Sequence, residues 1–103
     1  MYLKVDSEAK TATLEDPDDC EEFHVLVVGG GNDGAVDEAI ADLGAGRLVG
    51  PNAYIAVHRL EELAQGRVGD DWPVRFRKML DYAGSQGWMN DDRSYVMGHL
   101  KRD

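Results

Sequence analysis

Apolar and polar positions along the chain change period several times, and each change marks an element. "YLKVD" (2–6) and "TATL" (11–14) alternate in polarity, as half-buried strands do. The polar "SEAK" between them predicts a turn, and so an opening β-hairpin. "FHVLVV" (23–28) is almost wholly apolar and β-branched, the composition of a central strand. Beyond a glycine-rich loop, Val36, Ile40 and Leu43 recur at i, i+4 and i+7, predicting an amphipathic helix ended by Gly44 and Gly46. A Pro51-Asn52 turn then leads to a strand at 53–57. "HRLEELAQG" follows as a short helix with Leu60, Leu63 and Ala64 inward.

"DDWPVRFRKMLDYAGSQGW" gives the clearest helix. Trp72, Phe76, Met79, Leu80 and Ala83 share one arc at 3.6 residues per turn. Asp70 and Asp71 are expected to cap its start, with Pro73 in the first turn, and Gly87 to close it with Trp88 folded back. Asp16 and Pro17 suggest the cap and first position of another short helix. "SYVMGHL" (94–100) reads as an edge strand. The fold expected is α+β: a single small sheet, opened by a hairpin and joined by further strands, with two to three amphipathic helices packed on it. The antiparallel opening and two successive helices without an intervening strand favour α+β over α/β. With 103 residues, 43% of them apolar, one domain spanning 1–103 is expected.

Charge is unevenly distributed. Net charge is −9; residues 1–42 carry twelve acids and two lysines, residues 43–103 eight acids and nine Lys/Arg. The acidic half disfavours nucleic acid. Lone Cys20 excludes an intramolecular disulfide; no basic stretch runs into a long apolar one at the N-terminus, and no apolar run approaches a membrane span. A soluble cytoplasmic protein with no membrane contact is expected.

Gly29, Gly31 and Gly34 spell G-x-G-x-x-G between a strand and a helix, the order a dinucleotide site requires. Three features oppose that reading. No acid lies near Val49, where the ribose-binding carboxylate would fall, and two mononucleotide-binding halves do not fit in this length. Asp33 inside the loop would face the phosphate: about 4 Å between two charges costs ~1 kcal/mol in water and ~4 at a protein surface. The helix dipole returns only about 0.3–1 kcal/mol. The expected role is therefore a connector, with Asn32 or Asp33 capping the helix, and no cofactor is expected. The alternative is a small phosphate-containing ligand, such as a nucleotide, held by Gly29, Gly31, Asn32, Asp33 and Gly34 with Arg59.

No catalytic set emerges. His24, His58 and His99 lack metal-ligand spacing, the serines lie in no nucleophile elbow, and acidic neighbours raise the Cys20 thiol. Acids between Asp16 and Glu22 lack the ladder and distal Glu of a calcium loop, so no metal site is expected. Arg75, Lys78 and Tyr82 project from the polar side of the third helix as a candidate docking face, against either an acidic partner or the chain's own acidic half, within the monomer or across a homodimer. The bland expectation is a solvated face with pairs such as Arg77–Asp81.

The stretch "DWPVRFRKMLDYAGSQGWMNDDRSYVMGH" resembles small uncharacterised actinobacterial proteins with a D-W…F…M-L…Y-A…G-W…H pattern. The pattern falls here on Asp71, Trp72, Phe76, Met79, Leu80, Tyr82, Ala83, Gly87, Trp88 and His99, and the likeness spans 23–99. Leu100 stands where that group usually has an acid or an aromatic. The resemblance implies a fold and no activity. The function expected is that of a non-enzymatic accessory or protein-interaction module.

Overall fold

The structure, a computed structural model, describes residues 1–103. Six strands form one sheet: β1 (Tyr2–Asp6), β2 (Thr11–Glu15), β3 (His24–Val28), β4 (Gly46–Val49), β5 (Asn52–Ala56) and β6 (Tyr95–Arg102). Their spatial order is β2-β1-β3-β6-β5-β4. β1, β3 and β6 run parallel, while β2 and the β5–β4 hairpin are antiparallel to their neighbours. Three helices, α1 (Asp33–Asp42), α2 (Val57–Ala64) and α3 (Trp72–Ser85), complete the α+β fold.

All three helices bury their apolar stripes in one cluster with one face of the sheet. Leu3, Val5, Val25, Val27, Ile55 and Val96 point into it from alternate strand positions. Val36 and Ile40 of α1, Leu60 of α2, and Trp72, Phe76 and Met79 of α3 meet them. The other sheet face carries no helix. Tyr2, Lys4, His24, Leu26, Tyr54, His99 and Lys101 line it, none of them buried. The radius of gyration, 12.9 Å, is that of a compact chain of this length.

Three helix ends follow their sequence signals. Asn32 caps α1, its side chain accepting from the Ala35 amide at 3.0 Å. Gly44 (φ +71) closes α1, with the Ala45 amide reaching back to the Ile40 carbonyl. Gly87 (φ +78) closes α3 in the same way, through Trp88 N–H to Ala83 O at 2.9 Å and Gly87 N–H to Gly84 O at 3.1 Å.

Six expectations are corrected. β6 is central, not an edge: it pairs with β3 on one side and β5 on the other. Its polar residues His99 and Lys101 mark the uncovered face of the sheet, and face polarity resembles edge polarity in a sequence. Residues 16–20 are turn and loop rather than a helix, because Asp16 takes a left-handed φ of +47 and the carbonyl of Pro17 is drawn to Trp72, whose indole N–H donates to it at 2.6 Å. Asp71 stands at the N-cap of α3 but makes no cap hydrogen bond; its carboxylate accepts from Arg75. Asp81 pairs with Arg93 at 2.8 Å, not with Arg77. Gly46 opens β4, a strand the sequence reading omitted, and does not end α1: a Cβ there would lie 1.8 Å from the Tyr54 carbonyl oxygen. The hairpin turn is accordingly Gly50-Pro51, since Val49 pairs with Asn52.

Candidate functional site

A surface groove lies where the acidic 16–22 segment crosses α3. Arg75 holds the two together. Its guanidinium donates to an Asp18 carboxylate oxygen at 2.8 Å, to the Asp18 carbonyl at 2.5 Å and to Asp71 at 3.1 Å. This is the contact with the chain's own acidic half, within the monomer. The Arg75 hydrogen bond holds the Asp18 carboxyl below its usual range, and the two carboxylates push the guanidinium pKa up. On the far side of the segment, the Met1 ammonium donates to the carbonyls of Asp19 (2.5 Å) and Glu22 (3.0 Å).

These ties leave a cavity of about 470 Å³ between the segment and α3, and Arg75, Lys78 and Tyr82 all line it together with Met79. The structure therefore brings the three candidate docking residues to one groove. Lys78 pairs with no carboxylate there. A second cavity of about 250 Å³ shares Glu21, Met79 and Tyr82 with the first and continues over Phe23, Trp88 and Met97. The joint is aromatic: Tyr82 and Trp88 meet edge to face, centroids 5.8 Å apart at 76°. Tyr82 is 60% and Trp88 39% exposed, unusual for rings of this size.

Cys20 also lines the first cavity, half-buried. Burial pushes its thiol up, with Asp18 and Asp19 adding and Arg75 and the N-terminal ammonium opposing. The direction matches the sequence reading, but desolvation rather than the acids is the main cause. Such a thiol is a poor nucleophile.

The glycine loop sits at the carboxyl ends of parallel strands β1 and β3, a position where ligands are often held. Its donors face the chain itself. The Gly30 amide donates to Glu8 Oε1 at 3.0 Å and the Gly31 amide to Ser7 Oγ at 2.9 Å. Ser7 Oγ in turn donates to the Val28 carbonyl. Asp33 pairs with Arg102. Gly29, Gly31, Asn32, Asp33 and Gly34 thus stay together at the start of α1. Arg59 does not join them: it donates to the Leu43 carbonyl at 2.9 Å, at the other end of a ten-residue helix roughly 15 Å long.

Two of the three histidines lie on adjacent strands. His24 and His99 are register partners on β3 and β6, and His24 stacks on Tyr2 at 5.1 Å. His58 lies in α2, on the helix-bearing side. No group of three or more His, Cys, Asp or Glu side chains is placed to hold a metal ion. Burial, with Lys101 adding, lowers the His24 pKa, and its Nδ1 is buried without a hydrogen-bond partner, 3.5 Å from Glu22. No helix is long and apolar enough to cross a membrane.

Two features of the groove were not read from the sequence. Trp88 was assigned only to closing α3, and Met97 and Phe23 only to strands. Their convergence depends on β6 passing beside β3, a pairing that joins His24 to His99 and that no local pattern reports.

Comparison of the chain with protein-family models, with curated proteins and with solved structures finds no match in any of the three.

Proposed function

We propose that this protein is a soluble cytoplasmic, non-enzymatic interaction module that docks a segment of a partner protein in the α3 groove. The observation that carries the reading is the exposed Tyr82–Trp88 pair set over Met79 and Phe23. Aromatic anchors beside an apolar cavity are where binding energy concentrates. Charge narrows the partner. Arg75 is already satisfied by Asp18 and Asp71, so Lys78 stands against Asp19, Glu21 and Glu22 at the rim. An apolar residue flanked by basic side chains complements that rim, whereas an acidic segment would meet the Glu21 and Glu22 carboxylates beside an Asp19 that only the Met1 ammonium, at 4.0 Å, offsets.

The test uses the whole chain and Trp88 fluorescence. Peptides placing Leu, Phe or Trp between lysines are titrated against the same peptides with glutamate for lysine. Saturable binding of the basic set, weakened about tenfold or more by Tyr82→Ala and by added salt, is expected, since truncating an interface hot spot costs about 2 kcal/mol or more. Equal binding by both sets, or an affinity indifferent to Tyr82→Ala, would refute it. Sedimentation equilibrium of the same proteins covers self-association: a dimer abolished by Tyr82→Ala would make a second copy the occupant and overturn the basic-peptide assignment.

A further inference from the structure

A different cavity, of about 420 Å³, opens on the uncovered face of the sheet where β4, β5 and β6 meet the 88–94 loop. Gly46, Arg47, Tyr54, Asn90 and Tyr95 line it. Register explains the grouping. Arg47 is the cross-strand partner of Tyr54, and Tyr54 of Met97, two residues from Tyr95 on the same face. Directly paired side chains have Cβ atoms about 4.5–5.5 Å apart and diagonal ones about 7–8 Å, within reach of a shared small ligand.

The walls are fixed. The Asn90 side chain donates to Asp92 (2.9 Å) and Ser94 (3.0 Å) and accepts from the Tyr95 amide (2.8 Å), which locks the loop beside Tyr95. Gly46 brings β4 so close to Tyr54 that no side chain fits between them.

The chemistry is set by Arg47. Arg59, Arg75, Arg93 and Arg102 each pair with a carboxylate. Arg47 has no carboxylate within 4.0 Å and makes no side-chain hydrogen bond, and in a chain of net charge −9 no acid lines its cavity. Arg77 is also free, but on the open surface of α3 rather than in a cavity. A free guanidinium matches a carboxylate or phosphate with a two-pronged hydrogen bond. Two phenol rings add flat apolar faces and hydroxyl donors. The volume lies within the range of small-molecule sites. We propose that this cavity binds a small oxyanion, carboxylate or phosphate, carried on a flat ring, with Arg47 holding the anion and Tyr54 and Tyr95 the ring. This site is separate from the α3 groove and stands whether or not that groove docks a partner.

The test is a ¹⁵N and tyrosine-ring NMR titration of the full chain with benzoate and phenyl phosphate, and with acetate and inorganic phosphate as ring-free counterparts. Saturable shifts at Gly46, Arg47, Tyr54 and Tyr95 are expected, with the ring-bearing anions binding more tightly; which of the two does so identifies the anion. Arg47→Gln, an exposed change on an edge strand, should weaken binding about tenfold or more, as loss of a charge-assisted hydrogen bond implies. Arg77→Gln should leave it unchanged. Absence of saturation through about 10 mM ligand, an affinity indifferent to Arg47→Gln, ring-free anions binding equally well, or shifts confined to Gly30–Asp33 would each overturn the assignment.

Discussion

Gly31→Ala separates two meanings of the G-x-G-x-x-G loop. A Cβ at Gly31 would lie 2.6 Å from the Ser7 carbonyl oxygen and 2.8 Å from the Ser7 Cβ. Ordinary contacts sit near 3.5 Å, so the loop would have to retreat by roughly 0.9 Å. That retreat stretches the Gly31 amide bond to Ser7 Oγ, now 2.9 Å, where Ser7 is the one buried polar side chain of the fold. Overpacking costs about 1–3 kcal/mol and the lost hydrogen bond about 1, so a destabilisation of about 2–4 kcal/mol is expected. In a chain this size it corresponds to roughly 10–30 °C in Tm. Gly34→Ala is the internal control. Gly34 is helical, its nearest neighbour is Asn32 Oδ1 at 3.3 Å, and alanine there gains up to about 1 kcal/mol of helix propensity. A ligand cradle would need both glycines for an outside phosphate and neither for folding. Thermal and guanidinium unfolding of both variants, with no ligand present, decides. A Gly31→Ala protein within about 0.5 kcal/mol of the parent would refute the claim that this glycine serves the chain's own packing.

Two further perturbations probe other parts of the fold. Trp72→Phe keeps a ring stacked on Phe76 but strips the donor from the Pro17 carbonyl, a buried contact spanning 55 residues; a loss of about 1–3 kcal/mol by urea denaturation is expected. His24 has a folded pKa below its unfolded value near 6.5, so the unfolded chain binds the proton first as pH falls. Its contribution is therefore complete above about pH 6.5 and is lost as pH drops toward the folded pKa. The urea midpoint should decline from pH 7.5 to 5 and decline less in His24→Gln; equal slopes would show that the half-buried imidazole is not the cause.

Local chemistry was legible, and distant pairing was not. Alternation at 2–6 and 11–14, the apolar run at 23–28 and the 3.6 period of α3 each name an element because one residue's neighbours fix its face. Caps at Asn32, Gly44 and Gly87 are equally local. β4 escaped because four residues, Gly-Arg-Leu-Val, hold one alternation, too little to stand out from a loop. The 16–20 segment misled for a different reason. Asp-Pro is a helix start only if the next turn can bury something, and here Pro17 and Asp18 are held by Trp72 and Arg75 of α3. The docking trio Arg75, Lys78 and Tyr82 was read from one helix face, and it does share a groove. The groove's other wall comes from residues 18–23 and 88–97, joined to that face only by tertiary pairing.

The same pairing gives the lopsided charge of the sequence a spatial meaning. Arg75–Asp18 and Arg102–Asp33 each join a cation of the second half to an acid of the first, so part of the asymmetry is resolved inside the monomer. Arg59–Glu62 and Arg93–Asp81 neutralise two more cations locally. The cations left without a carboxylate fall into a pattern. Of six such cations, Lys4, Arg47 and Lys101 project from the uncovered sheet face, Lys78 stands in the α3 groove, and Arg67 and Arg77 are exposed elsewhere. Helices cover one side of the sheet, and the other carries three of these six cations, with Asp6 and Glu15 at its β1–β2 end. Because screening fades such fields within about 8 Å at physiological salt, a ligand at Arg47 senses that guanidinium far more than the distant acids. An acidic chain can therefore hold an anion where one cation is kept away from its own carboxylates, as Arg47 is on edge strand β4, with no acid lining its cavity.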